Sequence, residues 1–441
     1  MKLGSSPYEQ YKVSDNEWCE YLPSVWQEKR VKNIFNLITD LAPDNNDFEL
    51  LSLYTSIGVK PRKEMEQRGN KSVTTDGYWI VKKGDIIVNK LLAWMGAIGL
   101  SEYDGVTSPA YDILRKFNNE VDEKFYTYLF RTEKAQAIFK KYSRGIMDVR
   151  LRLYFDKFGA ITVPFPPPSE QKAIANYLDT KTAQIERQID LLTEKAKLYN
   201  NLKQSLINET VTRGLDKTVP MKNSGIEWIG EVPEHWEVKR LKDLGFLYSG
   251  LTGKTGDDFT DEHQWSCDFI PFVNIAYNQY ILPTLMKKVI VAPNEKQNKV
   301  KKNDLFFLMS SENHEDIGKS SLLNEDISNT YLNSFCKGFR FTAKAAVPNF
   351  INYLISSKKY RDSFAIEGKG FTRINLKIEK VNNLFILLPP LSEQKKIVDY
   401  LDTKTTQIDK IIATINTQIE KLKELRKTLI NDVVTGKIKV V

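Results

Sequence analysis

Histidine and cysteine are nearly absent from this 441-residue chain, with three of each. Cys19, Cys267 and Cys336 are too few and too scattered for a disulfide framework or a zinc cluster, and they read as small hydrophobes of the interior. His235, His263 and His314 do not stand at ligand spacing from one another, so no metal site is assigned. No apolar run approaches the roughly 20 residues that span a bilayer. The opening MKLGSSPYEQYKVSDNEW has no hydrophobic signal core. A reducing cytoplasm is therefore the expected compartment, with no membrane partner. A phosphate-binding G-x-x-x-x-G-K-[ST] loop is missing too; Gly250–Thr255 (GLTGKT) has its first glycine two positions late and reads as a turn. The NPP[YF] motif of amino-methyltransferases is absent, as is a glycine-rich strand–turn for S-adenosylmethionine. Asp362, Glu367 and Lys369 match a nuclease carboxylate pattern only by chance spacing. No catalytic residue is assigned, and the chain is not expected to be an enzyme.

What is present is a sequence said twice. Pro166–Glu186 (PPPSEQKAIANYLDTKTAQIE) returns as Pro389–Asp409 (PPLSEQKKIVDYLDTKTTQID), identical at roughly 15 of 21 positions. Upstream, Glu17–Lys32 (EWCEYLPSVWQEKRVK) returns as Glu227–Lys242 (EWIGEVPEHWEVKRLK). The chain is long enough for two or three domains, each with a core. Hydrophobic residues at 41% and charged residues at 27% exclude wholesale disorder. A net charge of +8 biases it mildly toward a polyanion.

Each copy of the first repeat opens with prolines, then Ser169 or Ser392 at the expected N-cap and Glu170 or Glu393 in the first turn, facing the positive end of the helix dipole. Apolar residues then recur in steps of three and four. Leu178, Ile185, Leu192, Tyr199 and Leu206 mark the seam of one helix, and Leu401, Ile408, Ile415, Leu422 and Leu429 that of the other. A heptad seam sustained this long predicts a coiled coil. Each seam carries a threonine (Thr182, Thr405) and a cation (Lys203, Arg426), which read as register-fixing residues. Gly214 and Gly436 are the stops. The simplest partner for each helix is the other copy, paired antiparallel.

The stretches between the repeats differ. Both hold short β-type runs, among them Ile86–Leu92 and Leu384–Leu388, and an aromatic helix at Phe125–Arg131 (FYTYLFR) or Phe350–Ser356 (FINYLIS). Each ends in a glycine-bearing basic loop, Ser143–Arg152 or Gly368–Lys377. The fold class is α+β: two such domains, separated by two long helices in an antiparallel coiled coil, with a pseudo-two-fold internal repeat. A repeated scaffold beside unlike middles implies related tasks on different targets.

The EWIGEVPEHWEVKRLKDLG run at Glu227–Gly245, its echo at Glu17–Lys32 and the doubled P-P-x-S-E-Q-K…LDTKT helices resemble the specificity subunit of type I restriction–modification systems. Lys83-Gly84-Asp85-Ile86-Ile87 and Ser108-Pro109-Ala110-Tyr111 extend the likeness, whereas the second half has Lys302-Asn303-Asp304-Leu305 and no Ser-Pro-Ala-Tyr. The resemblance implies target-recognition domains over residues 1–165 and 227–388, conserved helices over 166–214 and 389–441, and a linker at 215–226. Each recognition domain would read one half of a bipartite, asymmetric target in double-stranded DNA. The helices would space the domains and dock two modification (methyltransferase) subunits, and restriction (ATPase–nuclease) subunits would join them. S-adenosylmethionine, ATP and Mg would belong to those partners, with no cofactor on this chain. Within that frame Lys90, Trp94, Arg144, Arg150, Lys369 and Arg373 are the expected DNA contacts, as basic and aromatic groups in short polar stretches. The competing reading is a non-enzymatic coiled-coil scaffold joining two domains whose ligands are not DNA.

Overall fold

A computed structural model describes residues 7–55, 57–65, 75–145, 151–370 and 373–440. The chain falls into two units, Met1–Thr193 with Thr417–Val441, and Glu194–Asn416. Both divisions fall inside long helices, Pro168–Arg213 and Leu391–Val434. Each unit thus owns one mixed helix–strand domain and a segment of both helices. Among the described residues no helix is long and apolar enough to cross a membrane.

The first unit is organised on an antiparallel sheet in the order Phe35–Ile38, Tyr111–Lys116, Ile86–Asn89, Ile98–Leu100. The second repeats it with Gly245–Ser249, Cys336–Phe341, Leu305–Leu308 and Ser320–Leu322. The sequence difference between KGDI and KNDL disappears in three dimensions. Gly84 and Asn303 both take positive φ, 94° and 69°, a conformation open to glycine and tolerated by asparagine. The next residue closes the turn, with Lys82 N donating to Asp85 and Lys301 N to Asp304, both at 2.8 Å. Each aspartate then takes a two-pronged arginine from the neighbouring strand: Arg115 at 2.8 and 2.7 Å, Arg340 at 2.9 and 2.6 Å. The units diverge beyond this sheet. The first adds a hairpin, Leu51–Tyr54 with Gly58–Pro61. The second adds a three-stranded sheet in which Ser266–Ile270 pairs parallel with Thr330–Leu332.

The aromatic helices, Glu123–Phe130 and Pro348–Ser356, bury Phe125, Leu129, Phe350 and Leu354 completely. Each such side chain contributes roughly 1.5–3 kcal/mol of burial. Two polar clamps orient these helices, and they account for much of what the sequence repeats. Gln171 and Gln394 are fully buried. Gln394 Nε2 donates to Ala345 O at 2.9 Å and Pro389 O at 2.8 Å, while its Oε1 accepts from Val347 N at 2.8 Å. Gln171 does the same with Glu120 O, Pro166 O and Asp122 N. Further along, the aspartate of LDTKT receives a tyrosine hydroxyl from the aromatic helix: Tyr128 to Asp179 at 2.8 Å, Tyr353 to Asp402 at 2.6 Å. Burial, reinforced by the carboxylate, pushes the Tyr128 hydroxyl up to about 12.

Within each unit the two long helices run antiparallel. In the first, Glu186 meets Arg426 at 2.9 Å, and Trp26 donates to Glu170 at the start of one helix while lining Gly436 after the end of the other. In the second, Lys203 meets both oxygens of Asp409 at 2.7 Å, and Trp236 joins Glu393 to Gly214. All ten seam residues, from Leu178 to Leu429, are buried or half-buried. Two expectations change. The helices begin at Pro168 and Leu391, one residue before the serines, so Ser169 and Ser392 sit inside the first turn. Thr182 and Thr405, expected only as register-fixing seam residues, also abut Tyr128 and Tyr353 at 3.4 Å and so take part in the clamps. Of the cysteines, Cys336 alone is fully buried, and burial pushes its thiol up.

Candidate nucleic-acid interface

In each unit the sheet sends out a loop after its inner strand, and a basic hairpin comes to lie against that loop. The first unit's strand stops at Asn89 because the Asn89 side chain turns back to accept from Leu91 N at 3.0 Å and Leu92 N at 3.3 Å, an Asx turn. Gly96, at φ 85°, closes the excursion. The basic hairpin is held by Arg144 and Arg152, whose backbones exchange two hydrogen bonds of 2.9 Å. Leu153 N then donates to Lys90 O at 2.9 Å and locks hairpin to loop.

The second unit builds the same device. Lys369 and Asn375 exchange backbone bonds of 3.2 and 3.0 Å, and Leu376 N donates to Met309 O at 2.8 Å. Ser310–Ser311 and Ile374–Asn375 also pair as short strands. Gly370 is required at the hairpin tip: φ is 144°, and a Cβ there would lie 2.0 Å from Arg373 O. Arg361 fastens the loop from behind, donating to Glu315 O at 2.9 Å and Ile317 O at 2.7 Å. Burial lowers the Arg361 guanidinium to about 10.

The six expected contact residues fare differently. Lys369 is exposed and its side chain has no partner among the described residues. Arg373 is exposed, with its guanidinium 4.7 Å from the Phe335 ring centroid. These two are free to meet phosphate or base edges. Arg144 is exposed but shares an ion pair with Asp156 at 3.2 Å, a surface contact that water weakens. Trp94 is half-buried, its indole N–H bound to Leu91 O, with Lys140 5.3 Å from its ring centroid. Lys90 is held by Pro109 O at 2.7 Å and Asp112 at 3.3 Å, so its ammonium supports the loop. Arg150 lies outside the described residues. The structure therefore brings Lys90, Trp94 and Arg144 onto one loop pair, and Lys369 and Arg373 onto its counterpart.

The second unit's loop, Met309–Lys319, was not among the expected contacts. Aligning KGDIIVNK with KNDLFFLM places it opposite the first unit's loop, and that signal was available in the sequence. Two grooves meet beside it at Ser334 and Phe335. One, of about 320 Å³, is lined by Ser310, Lys337 and Arg373. The other, of about 860 Å³, is lined by Phe259, Lys287 and Lys288. Lys254 of the GLTGKT turn points elsewhere: its side chain is only 6% exposed and meets Glu295 at 2.6 Å, so it is not a phosphate ligand. Among the described residues no three His, Cys, Asp or Glu side chains converge to hold a metal ion. What the surface offers is cations, aromatic faces and backbone held in fixed loops, which suits a polyanion whose edges are to be read.

The model of the type I restriction modification DNA specificity domain matches residues 23–194 and 233–421, one stretch for each domain. The chain is 26% identical over 374 residues to the type I restriction enzyme MjaVIII specificity subunit of Methanocaldococcus jannaschii, covering 81% of each chain. It is 23% identical to the EcoBI specificity subunit of Escherichia coli, over 82% of this chain and 75% of that one. Among solved structures, the HsdS subunit from Thermoanaerobacter tengcongensis shares the fold at a TM-score of 0.56 and 16% identity, over 94% and 98% of the two chains. A chain solved in work on complex assembly and conformational transition of the type I R-M system superposes at 0.70, also with 16% identity, over 94% and 99%.

Proposed function

The chain belongs to the type I restriction–modification DNA specificity family, and from that premise we propose that each of its two units reads one half of a bipartite, asymmetric DNA target. The observation that supports this most is the duplicated loop-and-hairpin device on two sheets of the same topology, carrying different side chains. Same mounting with unlike tips is what two readers of different half-sites require. The chain itself supplies recognition. Methyl transfer, with S-adenosylmethionine, belongs to two modification subunits docked on the long helices, and ATP with Mg to restriction subunits, in the cytoplasm.

Phosphate contacts by the hairpin cations are tested through salt dependence. Each lost phosphate contact reduces the slope of log binding constant against log salt by about 0.9. Arg373→Ala and Lys369→Ala, assembled with modification subunits on target DNA, are each expected to flatten the slope by that amount while the recognised sequence stays the same. Slopes equal to that of the unaltered protein in both variants would remove the hairpin from the DNA interface. A chain that binds no DNA in any assembly would favour the scaffold reading.

A further inference from the structure

The two reading loops have opposite chemistry. The first unit's loop exposes Leu91, Leu92 and Met95 at 37%, 40% and 51%, three apolar side chains within five residues. Their exposure is not the result of a loose segment. Asn89 caps the turn, Ala93 is fully buried within it, and Gly96 packs where a Cβ would meet the Gln136 amide at 3.0 Å. Beside this apolar tip stand exposed Arg144 and Arg152, with Lys140 over Trp94. In the second unit the matching tip, residues 312–315, is Glu-Asn-His-Glu, exposed throughout.

A rigid apolar tip flanked by cations fits a partner that presents apolar groups between phosphates. On duplex DNA the one apolar group displayed at a base edge is the thymine C5-methyl in the major groove. We propose that Leu91, Leu92 and Met95 determine specificity in the first half-site by packing on thymine methyl groups, and that the second half-site is read without them. The inference rests on the DNA-reading assignment above and names the chemistry of one reader.

The test uses the bipartite target found by sequencing modified adenines made by the assembled complex. Duplexes are prepared with deoxyuridine in place of thymine in one half-site at a time, which removes the methyl and nothing else. The unaltered protein should bind one substituted half-site about fourfold more weakly per methyl lost, and the other without change. The Leu91→Ser/Leu92→Ser/Met95→Ser triple variant, altered only at exposed positions, should bind the thymine and deoxyuridine duplexes equally. A urea-unfolding midpoint equal to that of the unaltered protein shows that it is folded. Equal binding of thymine and deoxyuridine by the unaltered protein, or a sensitivity that survives in the triple variant, would overturn the inference. A complex that modifies no bipartite target would instead overturn the assignment on which it rests.

Discussion

Asp304→Ala is expected to cost the second unit about 3–5 kcal/mol, the loss typical of breaking a buried charge pair from one side. Asp304 is 1% exposed and accepts from four groups: two nitrogens of Arg340, Lys301 N, and Tyr248 Oη at 2.6 Å. Alanine would leave the Arg340 guanidinium, 25% exposed, with Lys299 O at 2.9 Å but no countercharge, and would leave the buried Tyr248 hydroxyl without its acceptor. Asp304→Asn keeps an acceptor of the same shape and should lose less. Asp85→Ala is the matching change in the first unit and should be milder, because Asp85 has its arginine and turn amide but no tyrosine, and Arg115 keeps Asp40 at 3.9 Å. Urea unfolding followed by a probe in the second unit decides the matter. A loss below about 1 kcal/mol for Asp304→Ala would mean that this aspartate is not what holds the sheet's turn.

The second large effect is on recognition. Joining Gln394→Ala with Tyr353→Phe removes both clamps on the Pro348–Ser356 helix. It leaves the half-buried Val347 N–H without its partner, at a cost toward the lower end of the about 1–3 kcal/mol of a buried donor. The reading loop of this unit is attached to the same domain. With its clamps gone, discrimination in the second half-site should fall by tenfold or more, about 1.4 kcal/mol, while the first half-site keeps its stringency. Hydrogen exchange should rise in Pro348–Ser356 and not in Glu123–Phe130. Equal relaxation of both half-sites would show that the clamps serve general stability and do not position one reader.

These two cases show what the sequence could and could not disclose. Heptad spacing located the helices and their buried faces because periodicity reports burial directly. It did not say what each buried position touches. Thr182 and Thr405 fall on the seam by spacing, yet their hydroxyls lie against the reader's tyrosines. The glutamine of SEQ reads in sequence as an ordinary first-turn residue. Its role as a three-bond clamp appears only when Pro389, Ala345 and Val347 are brought together. The KGDI and KNDL turns look unlike on the page because glycine and asparagine share a rare backbone conformation and little else. Candidate DNA contacts were the least legible. Both Lys90 and Arg373 are basic in sequence, but a buried aspartate and a carbonyl claim Lys90 whereas the exposed Arg373 guanidinium lies against the Phe335 ring.

Two unlike readers on one chain should specify one split target. Sequencing of modified adenines in DNA from cells expressing this chain with its modification subunits tests it directly. Methylation is expected to be confined to a single motif of two different half-sites separated by a fixed run of unspecified bases. A continuous motif, two identical half-sites, or no motif dependent on this chain would contradict it.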